Sequence, residues 1–317
     1  MVALEDARHV GASQQHFLKG TFFMPGAIDI VINLHTPEVL PLKPQWRREF
    51  FEGKLGADEE ILNGLPIEKY LERMDAAGIQ LAFITASKSG SKGHPSNWQL
   101  PYEMVADVVK KYPNRFRGLA GIDPTEGMAG VRRLEYAVRE LGFIGAHLYP
   151  HWFELAPDHR KYYPFYAKCV ELNVPIQMQV GHCLLYSRER PLPSVGRPIT
   201  LDTIACDFPE LKLIGIHTGW PWVEEMISVA WKHPNVYIGT DAYAPKYWKP
   251  ELIHFIDSWG THKVLFGTDF PVIEFRRATA EVKELNLKAA SRENLMWKNA
   301  ARVYDLKPED GFDWRAA

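Results

Sequence analysis

The chain has 317 residues, 46% of them hydrophobic and 12% aromatic, with 37 Lys and Arg against 39 Asp and Glu for a formal charge of -2. That composition carries a packed core and excludes long disordered tracts. A near-neutral charge with no long run of one sign makes nucleic acid and anionic membrane unexpected partners. Cys169, Cys183 and Cys206 stand far apart without a CxxC pair, which argues against a disulfide framework and a thiolate zinc cage. The amino terminus, MVALEDARHV, lacks the basic start and apolar core of a signal peptide, and nowhere do about 18 uncharged apolar residues run together. A soluble protein of the reducing cytoplasm is expected.

Residues 1–26 show no period and read as an arm or a cap over one end. The first buried strand is Ala27 to Leu34, with Asp29, Val31 and Asn33 on one face. A long connection, residues 35–66, follows; it contains Trp46, Arg47, Arg48, Phe50 and Phe51, and its length points to a lid or an oligomer interface. From there the periodicity alternates. Helices are predicted at Ile67 to Ala77, Tyr102 to Lys111, Val131 to Leu141, Tyr162 to Leu172, Leu201 to Phe208, Trp222 to Trp231 and Glu251 to Trp259. Between them lie strands at Gln80 to Ala86, Phe116 to Asp123, Phe143 to Leu148, Pro175 to Gly181, Leu211 to His217, Asn235 to Gly239 and Lys263 to Thr268, with a helical remainder through Asn294 to Tyr304. Eight strand-helix alternations without a break in composition predict a single α/β domain over 1–317, a closed (β/α)8 TIM barrel.

Four of these strands end in the same way: Gly145-Ala146-His147, Gly215-Ile216-His217, Gly239-Thr240-Asp241 and Gly267-Thr268-Asp269. A fifth copy ends in Asp123, where the following Pro124 makes helix capping the expected task. Residues two apart in a strand share a face, so each glycine is expected beneath its polar partner, with open space under a ring of ligand-type side chains. Strand ends carry the catalytic groups of such barrels. A lone strand-end aspartate usually caps a helix and a lone histidine is usually packed, but four copies of one pattern favour a shared site. Imidazole and carboxylate are ligands for zinc, manganese or iron, and a bound ion lowers the pKa of its water. Gln179, His182, Cys183 and His151 are further candidates near the centre. Arg197, Arg276 and Arg277 are candidates to hold a carboxylate by paired hydrogen bonds. Tyr149, Trp152, Trp220, Trp222, Tyr243 and Trp248 are candidate walls for a small organic ligand.

Nearly the whole chain resembles the amidohydrolase-related group that contains aminocarboxymuconate-semialdehyde decarboxylase and the resorcylate-type decarboxylases. The stretches that carry the resemblance include AIDIVINLHTPE, MDAAGIQLAFI, RFRGLAGIDP, GFIGAHLYP, FPELKLIGIHTGWPW, KHPNVYIGTDAY and KVLFGTDFP. The first strand of that family carries Asp-x-His-x-His, whereas Asp29, Val31 and Asn33 stand here. Its strand-five histidine corresponds to Gln179, its strand-four lysine to His147, and its strand-six histidine and strand-eight aspartate persist as His217 and Asp269. The resemblance therefore implies a divalent ion, zinc first with manganese or iron as alternatives, on His147, His217 and Asp269, with Gln179, His182 or Asp241 completing the shell. It implies Asp241 or Asp269 as general base, and Gln179, His182, Arg197 and Trp220 around a small carboxylated substrate that is hydrolysed or decarboxylated. The alternative is a subunit of a heteromeric metal-dependent hydroxylase similar to 2-aminoisobutyrate hydroxylase, in a supporting role. Assembly with a second barrel, identical or paralogous, is expected in either case.

Overall fold

Strand β1, Ala27–Asn33, is rich in β-branched residues and buried along its whole length, as a strand of a parallel sheet covered on both faces must be. The computed structural model describes residues 26–44, 46–90, 97–184 and 191–312; apart from Gly26, the expected amino-terminal arm lies outside them. After β1 come α1 (Ile67–Ala77), β2 (Ile79–Ala86), α2 (Tyr102–Lys111), β3 (Phe116–Gly121), α3 (Gly127–Arg139), β4 (Gly145–Leu148) and α4 (Tyr163–Glu171). They are followed by β5 (Ile176–Gln179), α5 (Thr200–Asp207), β6 (Leu213–Ile216), α6 (Val223–Lys232), β7 (Val236–Gly239), α7 (Pro250–Ile256), β8 (Val264–Leu265) and α8 (Phe275–Glu284). α1 stops because Gly78 adopts the left-handed conformation, φ 72°, that a helix end favours.

The eight strands pair in chain order in one parallel sheet. Ile30 N donates to Phe266 O at 3.1 Å, Asp269 N to Val31 O at 2.9 Å and Asn33 N to Phe270 O at 2.8 Å, so the last segment bonds to the first and the fold is a TIM barrel. Ile28, Ile30, Leu81, Phe83, Ile214 and Leu265 fill its interior, which Trp297 and Tyr304 join from the carboxy-terminal helices. A second, larger apolar cluster lies between the sheet and the outer helices. Burial of both faces is what makes the strands read as continuous apolar runs.

Two expectations about the strand ends are corrected. β8 spans Val264–Leu265 rather than Lys263 to Thr268, because the residues after it leave the β7 ladder for β1 and Asp269 takes a left-handed φ of 57°. The glycines of the repeated pattern do not leave open space. A Cβ on Gly239 would come 2.9 Å from Ile216 Cγ2, and one on Gly267 would come 3.0 Å from Asp241 Cβ. These positions are glycine because neighbouring chain occupies the room. Gly215 faces the other way, its Cβ position 2.6 Å from Met226 Sδ on α6. Strand alternation would then send His217 outward as well; its φ of 66° turns it to the barrel mouth instead.

The described residues of the connection, 35–44 and 46–66, run over the mouth. Trp46–Glu49 is one helical turn, Phe50–Lys54 a wider one, and Glu59–Leu62 a third, capped by Asp58, whose carboxylate accepts from Ile61 N at 2.8 Å.

Candidate active site

Three side chains converge above the carboxyl ends of β6, β7 and β8. The open atoms of His217, Asp241 and Asp269 lie within 4.8 Å of one another. In each residue one polar atom is tied down and the other is left open. Asp241 Oδ1 accepts from His217 N at 3.1 Å. Asp269 Oδ1 accepts from the Asn33 amide at 2.6 Å. The Gln179 amide lies 3.1 Å from His217 Nδ1. The remaining atoms face each other: His217 Nε2 is 3.2 Å from Asp241 Oδ2 and 3.9 Å from Asp269 Oδ2.

At 3.2 Å, His217 Nε2 and Asp241 Oδ2 are close enough to hydrogen-bond, yet they are not aligned for it. Both are sealed from solvent without a partner among the described residues. Ligand atoms about 2.1 Å from one ion, at tetrahedral or octahedral angles, stand roughly 3.0–3.4 Å apart, a spacing that His217 and Asp241 meet and that Asp269, at 3.9 Å, would reach by moving inward. Burial works against charge on His217, but Asp241 and then Asp269 hold its pKa above the ordinary imidazole value. Burial lifts Asp269 to about 6, with the Asp241 charge adding and His217 and Asn33 opposing. Beneath them burial raises Asp29 to about 8 although Thr268 Oγ1, Thr268 N and Val31 N all donate to it.

His147, expected beside His217 and Asp269, does not join the trio, whereas Asp241, one of the residues expected to complete the shell, does. The reason is register: His147 pairs with Gln177 across β4 and β5, whereas Gln179 pairs with Ile216 across β5 and β6. His147 thus stands a layer lower, its Nδ1 2.9 Å from the Gln177 amide, which in turn accepts from Tyr304 OH at 2.9 Å. Burial keeps its imidazole neutral, with a pKa down to about 3. His151 is buried behind the mouth, its Nδ1 accepting from Val195 N. Val31 and Asn33 occupy the positions of the missing histidine pair: Val31 is fully buried, and Asn33 braces Asp269.

A cavity of about 180 Å³ opens over the trio, lined among others by Arg47, Phe50, Trp98, Tyr149, Trp152 and Tyr243. Gln179, His182, His217 and Asp269 also line it. Trp220 stands behind Tyr243, ring centroids 5.6 Å apart, and packs His182 from the other side. Arg197 is a second correction. It pairs with Glu225 at 2.5 Å and lies over Trp222 on the exposed surface, spent before any substrate arrives. Arg277 is likewise paired with Glu281. The guanidinium at the cavity is Arg47, from the long connection; the only sequence signal for it was the basic-aromatic cluster in a loop of that length. A further grouping of ligand-type residues, Asp202, Cys206 and His233, lies away from the mouth on α5 and after α6. There Asp202 Oδ1 already accepts from Lys232 and pairs with His233.

The amidohydrolase family model matches residues 16–306. The γ-resorcylate decarboxylase of Polaromonas sp. strain JS666 is 23% identical over 290 residues, covering 76% of this chain and 84% of the relative. A 2-keto-4-carboxy-3-hexenedioate hydratase of Sphingobium sp. is 34% identical over 136 residues, 37% of this chain and 38% of the relative. Among solved structures, an uncharacterized TIM-barrel protein from Bordetella bronchiseptica superposes with a TM-score of 0.71 at 26% identity, over 90% of this chain and 99% of the other. A dihydroxybenzoic acid decarboxylase from Polaromonas sp. JS666, with bound manganese and 2-nitroresorcinol, gives 0.65 at 20% identity, over 90% and 99%.

Proposed function

The chain belongs to the amidohydrolase family, and from that premise we propose that it is a manganese-dependent lyase that removes carbon dioxide from a small, single-ring aromatic carboxylate. The observation that carries this reading is the inward convergence of His217 Nε2, Asp241 Oδ2 and Asp269 Oδ2, each held by a bond to its other polar atom. These three residues would hold the ion. One nitrogen and two carboxylate oxygens form a harder set than the histidine-rich one of zinc enzymes, which favours manganese. The manganese in the Polaromonas decarboxylase structure supports the same choice. When bound, the ion supplies Lewis-acid polarisation of substrate oxygens.

The chain's own residues supply a ring-sized space, orientation and a proton. An apolar cavity of about 150 Å³ accommodates one benzene, so a space of about 180 Å³ has room for one substituted ring. Phe50, Trp98, Tyr149 and Trp152 give that ring apolar walls and exclude water. Loss of carbon dioxide leaves an electron pair on a ring carbon, which must take a proton. Asp269 lines the cavity and is the carboxylate placed to relay a proton to that carbon, within the general acid–base role expected of Asp241 or Asp269. A supporting role in a heteromeric hydroxylase was suggested by the lost histidines. Their substitutes Asn33 and Gln179 brace an intact trio, which favours an enzyme in its own right.

The test pairs elemental analysis of purified protein, supplied with manganese, with carbon dioxide release from mono- and dihydroxybenzoates. Stoichiometric metal, its loss in His217→Ala, and gas release support the reading. Full metal retention in His217→Ala overturns the ligand set, and metal-loaded protein that releases nothing from any of these acids overturns the reaction.

A further inference from the structure

We propose that Asp202, Cys206 and His233 form a zinc site on the outer face of the barrel, which staples α5 to α6 and is separate from the metal centre at the mouth. It does not depend on the proposed reaction.

Asp202 and Cys206 are four residues apart on α5, so their side chains lie on one face of that helix. His233 follows the last residue of α6 and reaches across to them. One ligand-type atom from each of the three lies within 4.8 Å of the others. The histidine is held before any ion arrives. Its carbonyl accepts from Lys263 Nζ at 2.8 Å and its N–H donates to Val229 O at 3.1 Å, which fixes the backbone beneath the ring. The imidazole is buried, and Nε2 donates to Asp202 Oδ1 at 2.6 Å. Cys206 is exposed, so ions reach the group from solvent.

A cationic group already stands there. Lys232 Nζ donates to Asp202 Oδ1 at 2.7 Å. Asp202 first, and then the sulfur of Cys206, raise the Lys232 pKa above its ordinary value, so the ammonium senses both anionic groups at once. An ion-pair network accounts for Asp202, Lys232 and His233, but the sulfur has no part in it among the described residues. The Lys232 side chain is 57% exposed, so its ammonium can swing into water and give up the place.

The donor set selects the ion. One carboxylate and one thiolate carry two negative charges that balance a dication, and the imidazole binds as the neutral ring. A thiolate beside an imidazole suits zinc, whereas manganese takes oxygen donors such as those at the mouth. Binding releases the Cys206 thiol proton to solvent, and the His233 proton moves from Nε2 to Nδ1 so that Nε2 presents its lone pair. Water takes the fourth tetrahedral position.

The test loads the full chain with manganese and then titrates cobalt, a spectroscopic stand-in for zinc. Wild type should develop a thiolate-to-cobalt absorption band in the near ultraviolet that saturates at about one ion per chain. Cys206→Ser, at an exposed position with little risk to folding, should lose the band and bind zinc at least about tenfold more weakly. Cys183→Ser, which removes the thiol next to the cavity residue His182, should keep it. Lys232→Met removes the competing ammonium and should bind zinc a few-fold more tightly, a gain that an ion pair without a metal role would not give. Zinc should raise the urea midpoint of manganese-loaded wild type and leave that of Cys206→Ser unchanged. The proposal is overturned by no band in wild type, by a band or zinc-induced shift that survives Cys206→Ser, or by loss of the band in Cys183→Ser.

Discussion

Replacing Gln179 should weaken metal binding or preserve it, depending on the residue introduced. Gln179 is 6% exposed, and its amide is 3.1 Å from His217 Nδ1. An imidazole that binds an ion through Nε2 carries its proton on Nδ1, so the loaded site needs an acceptor at the Gln179 position. Gln179→Leu removes it, leaves Nδ1 buried without a partner at a cost of about 1–3 kcal/mol, and frees the ring to rotate away from Asp241 and Asp269. That range corresponds to roughly 5- to 150-fold in affinity, and loss of such a supporting partner typically costs about 10–100-fold. Gln179→Glu keeps the reach and accepts more strongly, so it should bind manganese at least as tightly as the wild type. A chelator-competition titration gives both dissociation constants, and urea unfolding without metal checks that the fold is retained. If Gln179→Leu binds manganese within about twofold of the wild type while folding normally, Gln179 does not orient His217 and the ligand assignment is wrong.

Acid should destabilise the chelator-treated protein through three buried histidines, which outweigh the opposite contribution of Asp29 and Asp269, whose raised pKa values let the folded chain bind protons over the same range. Burial, the first cause in each case, lowers His35 to about 2 and His147 and His151 to about 3, from an ordinary value of 6.5. Below 6.5 the unfolded chain binds protons that the folded chain refuses, so stability is complete above that pH and falls as the pH drops toward 3. Once well below 6.5 each histidine contributes about 1.4 kcal/mol per pH unit. Urea midpoints at neutral pH and in steps down to about 5 should decline; a flat series would refute the buried-neutral assignment. Away from the site, Phe255→Ala on α7 deletes a fully buried ring packed on Trp259 at 5.7 Å. It should cost about 3–5 kcal/mol in urea unfolding with manganese affinity unchanged, and a loss of affinity would show that the outer helices and the mouth are coupled.

The sequence by itself determined the alternation of strands and helices, the barrel, and the strand-end pattern that contains all three converging residues, His217, Asp241 and Asp269. It could do so because apolar periodicity and strand-end chemistry are written within a few residues of each other. The aim of those side chains was decided only by the tertiary structure. Gly215 faces α6, so His217 reaches the mouth through a left-handed backbone step that no local pattern announces. His147 carries the same Gly-x-His signature yet sits a layer lower, because layer is set by the register between strands and not within one. Asn33 braces Asp269 across 236 residues, turning what reads as a lost ligand into a support for another. Arg47 enters from a loop whose course depends on what it packs against. Each of these outcomes comes from contacts between distant segments, whose energies exist only once the barrel has closed and placed β8 against β1.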